Sequence, residues 1–380
     1  MLNTNTKNII GQIIAIFFLI SVVGISIWLI IQKEKNTPPI TNDAVINLTE
    51  ASFYKQLDNG YVKCSLCPNR CILADKQVGL CRARQNIDGR LYSLVYGEIA
   101  AKHIDPVEKK PLYHFMPGSR TLSIATAGCN LSCKQCQNWD LSQKFPWEVE
   151  SVKMTPQQVV DEALQTRSPI IAYTYSEPTI FYEFMLATAK LAHENNIKNI
   201  MHSAGYINTE PLQGLIPYLD GANIDLKAFR NEVYQELTNG TLQPVLDTLK
   251  TLREHDVWLE ITYLIIPGYN DDDEQISDMI SWVKDNLGSD VPIHFSRFTP
   301  MNKLTNTIPT PVDTIKKARQ MALDAGLKYV YTGNVPWVEG NSTFCDDGSI
   351  AIERKGYFIS KNTLTADGLC PDNTPVPGFW

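Results

Sequence analysis

The run Ala127-Gly128-Cys129-Asn130-Leu131-Ser132-Cys133-Lys134-Gln135-Cys136-Gln137-Asn138-Trp139 sets three thiols at C-x3-C-x2-C spacing directly after a strand-like segment, residues 121–126. Three is the informative number. A four-iron cluster that only carries electrons takes a thiolate on every iron, so three close ligands leave one iron with open positions for a substrate or cofactor. The chain beyond the thiols decides the fold. Strand candidates at 169–175, 198–203, 222–226, 258–265, 292–297 and 327–331 alternate with helical stretches. Thr155-Pro156-Gln157-Gln158 reads as a cap, an N1 proline and a capping-box partner, with a further helix from Pro178 to about Glu194. Residues 271–287 and 311–325 end at Gly288 and Gly326, placed as C-caps. This alternation predicts an α/β chain, a full or partial (β/α) TIM-like barrel with right-handed crossovers. Chemistry then belongs at the C-terminal ends of its strands, which is where Cys129, Cys133 and Cys136 lie.

The chain has 380 residues and a formal charge of -7. It carries no Lys/Arg block, so nothing in it suggests a nucleic-acid partner. Its nine cysteines are clustered in a long chain and read as metal ligands rather than as a disulfide framework. Residues 9–31 are uncharged and apolar except for Gln12, Ser21 and Ser26, long enough as a helix to cover roughly 34 Å, the reach of a membrane span. Gln32-Lys33-Glu34-Lys35 comes next, where a cleavage site would need small residues. The expectation is an uncleaved single-pass anchor over 1–35 in the cell membrane, with the body on the cytoplasmic side, where thiols stay reduced. Residues 36–60 read as a linker.

A cysteine-rich unit spans 61–118. Cys64, Cys67, Cys71 and Cys81 can close around one metal centre, either zinc or an iron–sulfur cluster. A loop then leads to the barrel through Lys102-His103-Ile104-Asp105-Pro106 and Lys109-Lys110-Pro111-Leu112-Tyr113-His114, with His103 and His114 as candidate substrate contacts. The barrel spans 119–335, and a tail covers 336–380. Within the barrel, Asp225 and Lys227 are two apart on a strand and face one side. Gly333-Asn334 makes a turn that lets a ligand approach the backbone.

The triad in this setting resembles the radical S-adenosylmethionine (SAM) superfamily. The unit C-x2-C-P-x2-C-x9-C, the pieces Asp105-Pro106 and Lys109-Lys110-Pro111-Leu112, and Cys136-Gln137-Asn138-Trp139 are similar to the AmmeMemoRadiSam-system radical enzymes, relatives of pyruvate formate-lyase activating enzymes. The resemblance implies a 4Fe–4S cluster on Cys129, Cys133 and Cys136, and SAM cleaved to methionine and a 5'-deoxyadenosyl radical that abstracts hydrogen from an unknown substrate. It implies cofactor contacts at Glu177, Ser203, Asp225, Lys227, His294, Arg297 and Asn334. An electron donor such as flavodoxin or ferredoxin, a protein substrate, and association with AMMECR1-like and Memo-like proteins are implied in the same way. Relatives end in a four-cysteine ribbon of two C-x2-C pairs. Here Gly348 and Asn373 replace the second cysteine of each pair, so Cys345 and Cys370 read as a metal-free remnant, free or paired. The reading from a different class is a membrane-tethered iron–sulfur protein that passes electrons without cleaving SAM.

Overall fold

The computed structural model describes residues 48–380. Eight strands form the central sheet: β1 (Ala101–Pro106), β2 (Arg120–Ala125), β3 (Ile170–Tyr173), β4 (Lys198–Ser203), β5 (Gly221–Asp225), β6 (Trp258–Ile265), β7 (Ile293–Arg297) and β8 (Val330–Gly333). Their order in space is β8-β7-β6-β5-β4-β3-β2-β1. Strands β2 to β8 run parallel, and β1 pairs antiparallel with β2. The two ends, β8 and β1, do not pair with each other, so the barrel is partial.

The parallel strands are apolar because both faces are covered. All four residues of β3 are buried. Helices α1 (Pro156–Gln165), α2 (Tyr182–Glu194), α3 (Thr209–Leu215), α4 (Asn231–Thr238), α5 (Gln243–Glu254), α6 (Asp273–Leu287) and α7 (Val312–Asp324) fill the crossovers. Caps set where they begin and end. The Thr155 hydroxyl accepts from the Gln158 N–H while the Gln158 side chain accepts from the Thr155 N–H, and Gly288, at φ 102°, closes α6. Each helix turns one stripe inward, as with Val159, Val160 and Ala163 of α1.

The stretch 102–106, expected as a loop, is strand β1. Its polar residues hid a strand that completes the edge of β2, with Asp105 opposite Thr121 and Ile104 opposite Leu122. Strands also begin inside the expected linker, at Thr49–Glu50 and Tyr54–Gln56. They belong to two small three-stranded sheets that make up the cysteine-rich unit. The buried Arg84 guanidinium joins this unit to α2 through Glu183 at 2.6 Å, and the same carboxylate accepts from the Ser52 N–H at 2.7 Å.

The expectation of a membrane anchor requires correction. Residues 9–31 lie outside the described residues, and among the described residues no helix is long and apolar enough to cross a membrane. The single-pass placement and the cytoplasmic side assigned with it have no structural element to rest on and are not retained.

In the tail, β9 (Thr343–Phe344), β10 (Ile350–Lys355) and β11 (Phe358–Asn362) form an antiparallel ribbon. Cys345 and Cys370 are joined in a disulfide, with Cα atoms 6.1 Å apart. The two turns that carry them match. Cys345 N–H donates to Ser349 O and Gly348 N–H to Cys345 O; Cys370 N–H donates to Thr374 O and Asn373 N–H to Cys370 O. Gly348 and Asn373 both have positive φ. Changing Cys345 and Cys370 together to serine is expected to cost about 3.5 kcal/mol, the loop-closure term for a bridge that spans 25 residues. Denaturant unfolding measures it, and an unchanged midpoint would show a ribbon held without the bridge.

Candidate functional site

A cavity of about 420 Å³ lies where β2 to β8 end, and Cys129, Cys133 and Cys136 line it together with Glu177, Ser203, Asp225, Lys227 and Asn334. The loop carrying the thiols is fixed from several sides. Gly128 takes φ 98°, and a Cβ there would collide with the Cys81 carbonyl oxygen. That oxygen accepts from the Cys129 N–H at 3.2 Å. Ser132 and Lys134 N–H donate to Thr238 and Leu237 O, satisfying carbonyls at the end of α4. The Asn130 side chain holds Tyr206 O at 2.7 Å, and Asn69 holds Asn130 O at 2.7 Å.

Burial pushes the Cys133 thiol up to about 12, against the pull of Lys227. Burial, with the nearby Glu177 carboxylate, pushes Cys129 well above its usual value. Metal binding at these sulfurs therefore has to displace protons that the metal-free loop holds firmly.

Glu177 follows β3 and is buried. Its Oε1 accepts from Ser203 Oγ at 2.6 Å, Thr179 Oγ1 at 2.8 Å and Thr179 N at 3.2 Å; its Oε2 accepts from Ala204 N at 2.9 Å. The carboxylate thus caps the turn Pro178–Phe181 and still borders the cavity. Ser203 acts on Glu177, as a positioning residue.

Asp225 ends β5 and bonds Lys227 Nζ at 2.9 Å and His202 Nε2 at 3.2 Å. Burial opposes its ionisation, but Lys227 and His202 hold it below the ordinary carboxylate range. Lys227 stays charged, its pKa raised: burial lowers it, and Asp225 and Cys133 outweigh that.

His294 does not line this cavity. It faces an adjoining chamber, with its Nε2 2.7 Å from Glu260 Oε2. Arg297 lines neither space, and its Nε donates to Thr310 O at 2.7 Å. His114 is buried between Pro377 O at 2.7 Å and Tyr331 OH at 2.5 Å, and burial lowers it to about 4. His103 is exposed on β1, beside the Tyr175 ring. Neither histidine borders the cavity.

Lys110 and Tyr175 do border it, and sequence reasoning gave them no role. Lys110 Nζ lies 2.7 Å from Asp105 Oδ2 and 4.3 Å from the centre of the Tyr175 ring, whose hydroxyl also bonds Asp105. The Lys109-Lys110-Pro111-Leu112 motif was the available signal. Burial pushes Lys110 down to about 8 despite Asp105, from an ordinary 10.5. Between those values the unfolded chain binds more protons than the folded one, so this group makes stability rise with pH across the window. Lys110→Met is expected to remove that rise. Parallel stability–pH curves for variant and wild type from about pH 8 to about 10.5 would refute it.

Cys64, Cys67, Cys71 and Cys81 share a small apolar pocket with Arg84, Asn130 and Ile180. Burial raises Cys67 to about 12 and Cys81 to about 11. Among the described residues no group of three or more His, Cys, Asp or Glu is gathered tightly enough for a single ion. Both sets of thiols line cavities. For a cluster of four irons this fits the triad, since each thiolate takes a different iron. The 420 Å³ cavity beside it, with a buried carboxylate and a charged lysine, is of the size and polarity that small-molecule cofactors occupy.

Residues 123–280 match the Radical SAM superfamily. The chain is 45% identical over 321 residues to the uncharacterized protein MJ0808 of Methanocaldococcus jannaschii, covering 84% of this chain and 95% of that one. It is 26% identical over 168 residues to the 4-hydroxyphenylacetate decarboxylase activating enzyme of Clostridioides difficile, covering 41% of this chain and about half, 52%, of that enzyme. Among solved structures, a domain of a pyruvate-formate lyase-activating enzyme from Bacteroides vulgatus aligns with a TM-score of 0.38 at 18% identity, covering 43% of this chain and 98% of that domain. These names give no support to an association with AMMECR1-like or Memo-like proteins, which is not carried further.

Proposed function

We propose that this chain, which belongs to the radical SAM superfamily, is an enzyme that holds a 4Fe–4S cluster and SAM in the cavity and removes a hydrogen atom from a substrate beside them. The observation that carries the reading is the meeting of Cys129, Cys133, Cys136 and Glu177 on one cavity. When bound, the cluster supplies the electron that splits SAM into methionine and the 5'-deoxyadenosyl fragment that takes hydrogen. The chain's own residues do the rest. Cys129, Cys133 and Cys136 would hold the cluster through their thiolates, and the cavity beside them would take SAM. Glu177, locked by four hydrogen bonds of which Oε2 takes only one, would accept an N–H of the SAM amino group at that oxygen. Lys227 offers a cation at the cavity wall, steadied by Asp225, and Asn334 presents its amide at the end of β8.

The relatives named activating enzymes support an activase-type oxidoreductase with a protein substrate and a flavodoxin- or ferredoxin-like electron donor. Cys64, Cys67, Cys71 and Cys81 are read as a second metal site; of zinc and an iron–sulfur cluster, their spacing, too open for a single ion, favours the cluster. An electron carrier that never cleaves SAM has no use for a buried carboxylate held open to the cavity. The two readings separate on anaerobic reconstitution followed by dithionite and SAM. Formation of 5'-deoxyadenosine is expected, and its absence from a fully loaded, reduced protein would favour the carrier.

A further inference from the structure

Asp105, next to last in β1, carries one negative charge and faces two lysines. Its Oδ1 accepts from Lys109 Nζ at 2.8 Å, and its Oδ2 accepts from Lys110 Nζ at 2.7 Å and from the Tyr175 hydroxyl. Burial opposes ionisation of this carboxyl, but Lys109, Lys110 and Tyr175 hold it well below the ordinary carboxylate range. One positive charge is left over. On the rest of the cavity wall Lys227 is answered by Asp225, and Glu177 is bonded by neutral donors. The excess cation therefore belongs to the Lys109–Lys110 side alone. Lys110 is 2% exposed, and a buried ammonium that shares its carboxylate with a second lysine is costly without a further anion.

The surroundings keep the two lysines where they are. Tyr175 follows β3 at φ 62°, a left-handed conformation that a residue other than glycine holds only where its neighbours impose it. Asn138 Nδ2 donates to its carbonyl oxygen at 2.8 Å, and Lys110 Nζ lies 4.3 Å from the centre of its ring. Lys109 differs from Lys110 in access. It ends the turn Val107–Lys109, its side chain is 44% exposed, and it lines both the cofactor cavity and an outer groove of about 550 Å³. Lys109 spends one of its three N–H donors on Asp105, which leaves two. It is the one lysine or arginine lining the groove, where Asp140 and Glu150 repel an anion and so confine it to the neck that Lys109, Asn138 and Tyr175 form.

We propose that Lys109, at the neck between groove and cavity, holds an anionic group of the substrate, a carboxylate or a phosphate, with the Lys110 charge behind it. The bound anion supplies the negative charge that Asp105 alone does not, and it anchors the substrate at the edge of the cofactor cavity. The proposal rests on the reading of that cavity as the place of hydrogen abstraction. The competing occupant of the same cation is the carboxylate of SAM itself.

Calorimetry on the anaerobically reconstituted full chain tests this with two probes, propionate and inorganic phosphate, each against sodium chloride at equal ionic strength and each with and without saturating SAM. Saturable one-site binding of at least one probe is expected with SAM present. Tighter binding of propionate would point to a carboxylate on the substrate, and of phosphate to a phosphorylated one. Lys109→Gln is expected to weaken binding about tenfold, one charge-assisted hydrogen bond, and Lys109→Arg, which keeps the charge, to weaken it less. No binding beyond the chloride control, or equal affinity in wild type and Lys109→Gln, overturns the proposal. Binding that SAM abolishes also overturns it, since the cation then serves the SAM carboxylate. 5'-Deoxyadenosine formation is measured on the same wild-type preparation. If it is absent while the probe results hold, the radical reading fails and the anion site stands.

Discussion

Glu177→Ala is expected to remove SAM binding and to cost about 3 kcal/mol of stability, because it strips the acceptor from two buried backbone donors, Thr179 N and Ala204 N, at once. The Ser203 and Thr179 hydroxyls can turn elsewhere; the two N–H groups cannot. Glu177→Gln keeps an acceptor and separates the roles. Its single oxygen can serve only one of those two N–H groups, so it is expected to cost about half as much stability as the alanine variant and to bind SAM about tenfold more weakly, since the charge on the acceptor is gone. Thermal unfolding and equilibrium SAM binding read the two effects. If both variants bind SAM like wild type, Glu177 is only a helix cap.

Gly128→Ala carries the next largest expectation. Residue 128 sits at φ 98°, where a Cβ is strained, and the added atom would run into the Cys81 carbonyl oxygen that Cys129 bonds. The backbone alone costs about 1–2 kcal/mol, and relieving the collision must part the triad loop from the cysteine-rich unit. Iron retained after anaerobic reconstitution is expected to fall with it. A variant that holds wild-type iron and unfolds at the wild-type midpoint would show that this junction does not position the thiols.

The parallel core of the fold was legible because its signals are local: caps such as Thr155 and Gly288, and strands whose residues are buried on both faces. Strand β6 begins and ends at the residues expected from sequence, Trp258 and Ile265. Edge strand β1 was not legible, since Lys102, His103 and Asp105 carry no apolar pattern and their strand character comes from a partner elsewhere in the chain. The strand period of two also accounts for the split at β7. His294 and Ser296 share a face and line the chamber, whereas Arg297 points to the other side and meets Thr310. Lys110 and Tyr175 were missed for a different reason. They are 65 residues apart and meet only in the fold, where Lys110 Nζ donates to Tyr175 OH at 3.3 Å and both bond Asp105. The pairing of Cys345 with Cys370 was open from sequence, and the two matched turns settle it by bringing the Cα atoms to 6.1 Å.

The proposed chemistry stands or falls on Cys129, Cys133 and Cys136 holding a cluster that acts on SAM. Iron and sulfide content of the anaerobically reconstituted chain, with 5'-deoxyadenosine formation after dithionite reduction, reads this in wild type and in the Cys129→Ala/Cys133→Ala/Cys136→Ala variant. The variant is expected to lose about four irons and all 5'-deoxyadenosine, and to keep whatever metal the proposed second site at Cys64, Cys67, Cys71 and Cys81 holds in wild type. Unchanged iron, or cleavage that survives without the three thiols, would refute the assignment.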